Sequence, residues 1–415
     1  MPSAIVASPI RFAGWRMVAI SFLILNCALG VNFAAYGAMV AAIEREFATS
    51  RALASGGLSM LTLALGLLAP MVGTLMRRVP IRVLMAVGIA LNALGYLALT
   101  QASHIGAMLA IYGLMIGPGF ALFGVVPCTA IISNWFNSGR GKALGIINMP
   151  AGNTLMPLLA AWLLGQYGLH GAFLGCALIL AALLPLLWFL VDQPASIGQQ
   201  PQGSSAVATT GEPALSAGRI LCMPAFLILT AGVTLLSAAG LVMVTHLVTL
   251  ATDRGIALGS ASLLLSAFGL AGIVGAPLFG WIADRLGGGR AFALLALCQI
   301  PPWLALIGAG NSLPLLLVLA FAIGACSNAI LTLFGVIMGD WLGQANIGLG
   351  MGLCYLVQIP FMFGAGPLAG AMVDRFGSYT PTILLHVASF AAIGLAFLLY
   401  RPRPAALMPS RSSVA

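Results

Sequence analysis

Charged residues are scarce in this chain. Only 6% of its 415 residues are Asp, Glu, Lys or Arg, whereas 61% are hydrophobic. A water-soluble domain carries about 25% charged residues, because its surface must be hydrated. The shortage therefore excludes an ordinary soluble protein and predicts that most of the chain lies in a lipid bilayer.

The chain also lacks the residue patterns of enzymes and metal sites. It has no Walker A sequence, no Gly-x-Ser-x-Gly motif and no His or Cys set at metal-ligand spacing. Its seven Cys lie in or beside apolar runs, so no disulfide framework is expected. No basic run is interleaved with aromatic residues, as nucleic-acid binding would require. We expect neither an enzyme nor a cofactor, metal or nucleic-acid partner.

Long apolar runs dominate what is present. A helix needs about 20 apolar residues to cross a bilayer core of about 30 Å. Helices are expected because an unpaired backbone amide is costly in hydrocarbon, and the runs lack the alternation of a β-barrel. The sequence therefore predicts an all-α membrane protein with twelve transmembrane helices, roughly at 16-40, 52-76, 83-101, 106-132, 143-164, 171-191, 221-250, 260-282, 291-309, 313-338, 347-372 and 381-400.

The cations predict the orientation of these helices, because short loops rich in Lys and Arg stay in the cytoplasm. With a retained first helix and the N-terminus inside, four cations fall outside beside acidic residues: Arg45, Arg51, Arg254 and Arg375. The other thirteen fall on the cytoplasmic side: Arg11, Arg16, Arg77, Arg78, Arg82, Arg140, Lys142, Arg219, Arg285, Arg290, Arg401, Arg403 and Arg411. We expect a multi-pass protein of a bacterial-type inner membrane with both termini cytoplasmic.

A polar stretch from Gln193 to Arg219 divides the chain. It is rich in Pro, Gly, Ser and Gln and has no apolar periodicity, which predicts a cytoplasmic linker (193-219) between six-helix halves at 1-192 and 220-415. The halves repeat at an offset of 207 residues, since Gly73 matches Gly280 and Arg78 matches Arg285. Two pseudo-symmetric halves can rock about a site at the membrane midplane. Chance matching of Gly and Pro is the alternative.

The stretch from Gly280 to Gly287, with the sequence Gly-Trp-Ile-Ala-Asp-Arg-Leu-Gly, resembles the Gly-x-x-x-Asp-Arg-x-Gly loop signature of the major facilitator superfamily. An Asp at a helix end beside Arg residues can form a charge-assisted cluster that locks one side closed, although a solvated turn is the alternative. In the first half Arg77 occupies the Asp position, so we expect that latch to be altered or absent. The predicted gating residues are Arg77, Arg78, Arg140, Asp284, Arg285, Arg290 and Asp340.

Further motifs resemble the branch of that superfamily that holds monocarboxylate transporters and oxalate/formate exchangers. They are Tyr36-Gly37, Trp135-Phe136 followed by Gly139-Arg140-Gly141-Lys142, and Asp374-Arg375-Phe376-Gly377. The resemblance implies organic anions as substrates, commonly moved with a proton. Members place a charged Asp-x-x-x-Arg-Pro run or a related Arg on helix 8, where this chain has only Gly272 to Pro277. Substrate charge and coupling ion therefore stay open.

Polar residues inside the spans are the candidates for a binding site, because each needs a partner in lipid and often finds it in a water-lined cavity. His246 could be a proton site or a cationic anchor, or a neutral His bonded to a neighbouring helix. Phe120 and Phe123 could form an apolar wall, or pack elsewhere. The predicted substrate-binding residues are Asn32, Tyr36, Phe120, Phe123, Asn148, Asn153, His246, Asn328, Tyr355 and Gln358, with helix packing as the alternative for each polar one.

These observations together predict a secondary transporter. Without an ATP site, transport would run on gradients, with protons as a candidate coupling ion. The expected substrate is a small organic acid, in the first place a monocarboxylate, moved by rocking of the two halves. A carrier or efflux protein for a neutral or amphipathic molecule is the alternative, and a membrane sensor without transport is a third.

Overall fold

The computed structural model describes residues 12–203 and 214–400, which are almost entirely helical. Residues predicted to be cytoplasmic but lying outside these ranges are Arg11, Arg401, Arg403 and Arg411. The middle of the predicted linker, 204–213, lies outside them as well.

Twelve helices follow the predicted apolar runs, and their ends lie within a few residues of the predicted ones. Helices α1 to α4 are Gly14–Glu46, Gly56–Leu75, Ile81–Leu99 and Ile105–Trp135. Helix α5 comprises Arg140–Ile147 and the part of Ala151–Ala181 before Gly168. Helix α6 comprises the part of Ala151–Ala181 after Gly168 and ends in a 3-10 turn, Leu184–Phe189. Helices α7 to α12 are Pro224–Thr252, Leu258–Leu286, Gly288–Gly308, Leu313–Leu342, Ile347–Phe376 and Thr380–Leu399.

Helices α5 and α6 form one apolar segment, so the described residues contain 11 segments long and apolar enough to cross a membrane. Gly168 separates the two helices, because its φ of 68° is not helical. Glycine adopts this left-handed conformation without the steric cost of a side chain. The prediction of twelve transmembrane helices is therefore confirmed.

Helix α5 is interrupted between Ile147 and Ala151, where Pro150 lacks a backbone N–H. Asn26 of α1 compensates for this break. Its side-chain nitrogen donates to the carbonyl oxygen of Ile147 (3.3 Å), and its side-chain oxygen accepts from the amide of Gly152 (2.8 Å). In lipid such freed backbone groups need a protein partner, so Asn26 stabilises the break.

The two halves, α1 to α6 and α7 to α12, meet along two pairs of helices. Helix α2 packs against α11, and α5 packs against α8, as expected for pseudo-symmetric halves. Small residues line both contacts and let the backbones approach closely, which is the usual basis of helix packing in membranes. The prediction of two pseudo-symmetric six-helix halves is confirmed.

The described parts of the linker cross one end of the molecule, which we call the linker end; the opposite end is the far end. Gln199 accepts a hydrogen bond from the amide of Ala13 at 3.0 Å. The amide of Gln202 donates to Trp135, and its carbonyl oxygen accepts from Asn137. The amide of Leu215 donates to the side-chain oxygen of Asn346 in the loop between α10 and α11. The linker is thus bonded to both halves rather than only tethering them.

Candidate functional site

Helices α5 and α8 touch through their backbones near the linker end. A Cβ atom added to Gly141 would overlap the carbonyl oxygen of Gly280, and one added to Gly280 would overlap that of Gly141. Further along, a Cβ at Gly272 would lie 2.7 Å from both Pro150 and the side chain of Asn328. The contact therefore runs from the linker end to the break in α5.

Helices α2 and α11 make the matching contact on the other side. Gly73 lies against the backbone of Gly348, and Gly352 against that of Ala69. Further toward the far end, a Cβ atom on Gly269 of α8 would meet no heavy atom within 4 Å. The two halves are thus packed together at the linker end.

The polar contacts show the same asymmetry. The carboxylate of Asp284 accepts hydrogen bonds from the backbone amides of Gly141 (2.7 Å) and Lys142 (2.8 Å), which begin α5 in the opposite half. A carboxylate at a helix N-terminus is favoured by the unpaired amides and the helix dipole. Asp284 therefore joins the halves through the two backbone amides that begin α5.

Arg77, which replaces the Asp of the signature in the first half, also bonds across the halves. Its guanidinium donates to the side-chain oxygen of Asn346 (2.9 Å) and to the carbonyl oxygen of Leu215 in the linker (3.0 Å). The same oxygen of Asn346 accepts from the amide of Leu215 at 2.8 Å. Arg77 therefore links the first half to both the second half and the linker.

The other predicted gating residues have mixed surroundings. Arg140 of α5 lies 3.5 Å from the carboxylate of Asp340 on α10, which adds a third polar link between the halves. Arg285 stacks over the ring of Trp281 at 3.8 Å, within its own half. Arg78 and Arg290 are exposed at the linker end. Only Arg77, Arg140, Asp284 and Asp340 of the predicted set thus join the two halves.

At the far end, polar contacts of the described residues join members of the same half. His170 lies 3.4 Å from Glu46 in the first half. In the second half, Arg254 donates to the carbonyl oxygen of Leu306 at 2.8 Å. The halves are therefore linked at one end and separately braced at the other, which is the geometry of a molecule closed at its linker end.

Tyr36 and Asn32 of α1 lie inside the first half and do not face the space between the halves. The hydroxyl of Tyr36 donates to the carbonyl oxygen of Ala54 (2.5 Å) and accepts from the amide of Gly57 (3.1 Å). Asn32 is fully buried and donates to the carbonyl oxygen of Ala28 at 2.8 Å. Direct substrate contact by these residues is therefore not available in this conformation, and Tyr36 instead ties α1 to the start of α2.

Replacing Tyr36 with phenylalanine is expected to reduce stability while leaving the apparent affinity for substrate unchanged. The variant loses one donated and one accepted hydrogen bond and leaves two buried backbone groups unpaired, which costs about 1–3 kcal/mol. The measurement is thermal unfolding of the purified variant, together with the KM of transport. A raised KM without a change in unfolding temperature would contradict this assignment.

Phe120 and Phe123 of α4 are also interior residues. Their exposed fractions are 1% and 0%, and Phe120 packs edge-on against Phe33 of α1 with ring centroids 5.3 Å apart. Their rings contribute to packing within the first half, as aromatic pairs commonly do. In this conformation the two rings therefore pack inside the first half, which was the alternative to an apolar wall around a ligand.

Asn148 and Asn153 flank the break in α5. Asn148 is buried, and its side-chain nitrogen donates to Leu144, whereas its side-chain oxygen has no hydrogen-bond partner among the described residues. Asn153 is exposed. An amide facing lipid tails would be costly, so its exposure fits a water-filled space between the halves. Asn26, which holds this break, was missed by the sequence analysis; a lone Asn in an apolar run was its only signal.

His246 of α7 is bonded to neighbouring helices of its own half. One ring nitrogen lies 3.1 Å from the carbonyl oxygen of Gly366 on α11, and the other lies 3.4 Å from the hydroxyl of Tyr379. That hydroxyl is also 3.0 Å from Thr249, one turn further along α7. His246 is half-buried and connects α7 to α11 and α12 near the far end.

The remaining predicted residues lie on α10 and α11. The side-chain nitrogen of Asn328 donates to Gly324 (2.8 Å) and Phe268 (3.2 Å), beside the contact with Pro150. Tyr355 is half-buried and packs against Phe334. Gln358 is buried and donates to the sulfur of Cys354. The structure thus brings Asn328 near the break in α5 but keeps Gln358 inside the second half.

Two cavities lie away from the break in α5. A cleft of about 870 Å³ opens at the linker end, and Arg77, Arg78, Arg82 and Asp192 are among its lining residues. A groove of about 420 Å³ lies between α7, α11 and α12 and is largely apolar apart from Thr382, His386 and Ser389.

Comparison with known proteins was made by sequence and by fold. A sequence profile described as the Major Facilitator Superfamily matches residues 22–300 and 227–414. The chain is 29% identical over 393 residues to monocarboxylate transporter 13 of Rattus norvegicus, covering 93% of this chain and 86% of that protein. It is 28% identical to a gallate transporter of Pseudomonas putida, covering 85% of this chain and 89% of that protein.

Among solved structures, the chain is similar to the proton:xylose symporter XylE bound to 6-bromo-6-deoxy-D-glucose. The TM-score is 0.75 at 13% sequence identity, and the match covers 94% of this chain and 96% of that one. At this identity the likeness concerns the fold alone.

Proposed function

The chain belongs to the major facilitator superfamily of membrane transporters, and on that basis we propose that it carries a small organic acid, in the first place a monocarboxylate, by alternating access. The relatives described as carriers of monocarboxylates and of gallate support this substrate class. Proton coupling is part of the proposal, since the chain has no ATP site and a gradient must drive transport.

The observation that carries the proposal is the one-sided contact between the halves. The polar links between α1–α6 and α7–α12 lie at the linker end, and the close glycine contacts run from there to the break in α5. Links confined to one end can be exchanged for others at the opposite end when two rigid halves rock. The conformation described is the one that admits substrate from the far end.

The linker end is the cytoplasmic end in this proposal, and the membrane is a bacterial-type inner membrane. Nine of the thirteen cations assigned to the cytoplasm by sequence lie at residues 16 to 290, within the described chain. They follow or precede the helix ends that meet at the linker end, in agreement with the excess of Lys and Arg in cytoplasmic loops. The far end then faces outward.

Substrate binding is proposed at the break in α5. Asn153 supplies an exposed side-chain amide there, and Asn328 of the other half lies beside Pro150. The unpaired buried oxygens of Asn32 and Asn148 support a further role in another conformation, because buried polar atoms seldom lack a partner. Because no Lys or Arg lies at this proposed site, the carboxylate of a substrate would be held by neutral hydrogen-bond donors and by His246.

The direct test is uptake of labelled monocarboxylates into proteoliposomes that contain the purified protein. Uptake is expected to exceed that of protein-free vesicles and to rise when the pH is lower on the side from which the substrate enters. Proton-coupled transport of an anion is ruled out if a pH gradient of either sign leaves the initial rate unchanged. Absence of uptake for every short and aromatic acid would remove the organic-acid proposal.

A neutral or amphipathic substrate is the second candidate, and the lack of intramembrane cations near Asn153 favours it. Replacing Asn153 with aspartate separates the two. Two carboxylates about 4 Å apart repel by about 4 kcal/mol at a protein-like effective dielectric, so uptake of an acid should fall at least about tenfold. Initial rates of the variant are compared with those of Asn153→Ser, which keeps a neutral polar group. A neutral substrate should be transported equally well by both variants.

A further inference from the structure

The cleft at the linker end is built from both halves. The first half contributes the loop from Arg77 to Pro80, the start of α3 and Asp192, and the beginning of the linker contributes Gln193 and Ser196. The second half contributes Gln344, Ala345 and Gly348. Its volume of about 870 Å³ is large enough for an organic ligand. This cleft exists because the halves are closed at this end.

Three arginines and one carboxylate line the cleft. Arg77, Arg78 and Arg82 line it, and Asp192 is the acidic lining residue. Asp192 accepts a hydrogen bond from the backbone amide of Arg82 at 3.0 Å. The charge of Arg82 interacts with Asp192, but among the described residues the ion pairs within 4 Å involve residues other than Arg78 and Arg82, and a single carboxylate faces three arginines. The cleft therefore carries an excess of positive charge.

We propose that this cleft binds a phosphate-bearing anion, with Arg78 and Arg82 as the residues that recognise the phosphate. A guanidinium offers a planar fork of donors that matches phosphate oxygens in a bidentate manner. Gln193 is exposed in the cleft and can donate from its side-chain amide to further oxygens, whereas the hydroxyl of Ser196 already donates to the carbonyl oxygen of Gln193 at 2.7 Å. Because the cleft lies where α2 and α3 meet the linker, the phosphate can belong to a lipid headgroup or to a soluble compound.

Binding is coupled to the conformation of the two halves. Arg77 lines the cleft and at the same time donates to Asn346 across the halves. The walls from Gln344 and Ala345 move away from Arg78 when the linker end opens. A ligand that binds one conformation more tightly shifts the population toward it. The anion therefore stabilises the closed linker end.

The experiment uses the full-length protein and two probes. Sodium pyrophosphate is titrated onto the purified protein in detergent at constant ionic strength, with sodium chloride as the reference, and binding is followed by thermal unfolding and by isothermal calorimetry. Native mass spectrometry then compares retention of dioleoylphosphatidylglycerol with that of dioleoylphosphatidylcholine. Tighter binding of pyrophosphate supports a soluble ligand, and selective retention of phosphatidylglycerol supports a lipid.

Two double variants decide whether the cleft is the site. Arg78→Gln with Arg82→Gln should weaken binding of the successful probe at least about tenfold, as expected for loss of two charge-assisted contacts. Arg285→Gln with Arg290→Gln removes the same charge from the equivalent loop of the second half, and its affinity should stay within about twofold. All four side chains are exposed, so folding should be preserved. Equal losses in both variants, or no preference for either phosphate probe, would overturn the proposal.

Discussion

Replacing Gly141 or Gly280 with leucine is expected to abolish transport and to leave the linker end open. At these positions the backbones of α5 and α8 are in direct contact, and even a Cβ atom would overlap a carbonyl oxygen. Overpacking in a well-packed interior costs about 1–3 kcal/mol where side chains can move. Here the obstacle is backbone, so the cost should exceed that range and reduce the closed population at least about a hundredfold.

This expectation is checked by the transport rate and by a distance across the linker end. Spin labels at positions 74 and 290, in a variant without native cysteines, report the separation of the two halves. Leucine at Gly165 is the matched control, because it also lies on α5 but a Cβ there meets no heavy atom within 4 Å. The glycine contact would lose its assigned role if Gly141→Leu closed the linker end as the unchanged protein does.

Replacing Asp284 with alanine is the second large expected effect. The carboxylate accepts two backbone hydrogen bonds from the start of α5, and these bonds form only when the halves meet. Hydrogen bonds to charged groups contribute about 1.5–3 kcal/mol, and the lower end applies because Asp284 is exposed. The ratio of closed to open linker ends should therefore fall about tenfold.

Asp374 provides the control for this variant. It is an exposed acid near the end of α11 in a similar Asp-Arg-x-Gly run, but it lies at the far end. Asp374→Ala should leave the distance between the labels at positions 74 and 290 unchanged. Asp284→Asn, which keeps one accepting oxygen, should give an intermediate shift. A distance distribution in Asp284→Ala equal to that of the unchanged protein would show that the carboxylate does not hold the halves together.

The two glycine contacts and the Asp284 contact act on the same equilibrium but through different physics. The glycines set whether closure is sterically possible, whereas Asp284 sets how favourable it is. Combining Gly141→Leu with Asp284→Ala should therefore add little to the effect of the leucine alone, since residues in contact do not contribute independently. Both substitutions should also weaken anion binding in the cleft around Arg78, because the walls of that cleft come from both halves.

The sequence did not show which of the candidate residues are buried within one half and which face the other half. Tyr36 and Phe120 were predicted to contact substrate, yet both are buried in the first half, at 1% exposure each. Hydropathy separates residues that tolerate lipid from those that do not. In a chain that is 61% hydrophobic, it does not separate residues that face lipid from residues that face protein. The role of Asn26 was missed for the same reason.

The sequence by itself determined the twelve helices and the division into two halves, and it pointed to Asp284 as a candidate, because each follows from the length of an apolar run, the place of a charge or a local motif. Only the tertiary structure decided which residues meet. Arg77 and Asn346 are 269 residues apart in the chain, and their bond exists because the two halves pack at one end. Such a contact depends on the relative position of the halves, for which a local sequence pattern carries no signal.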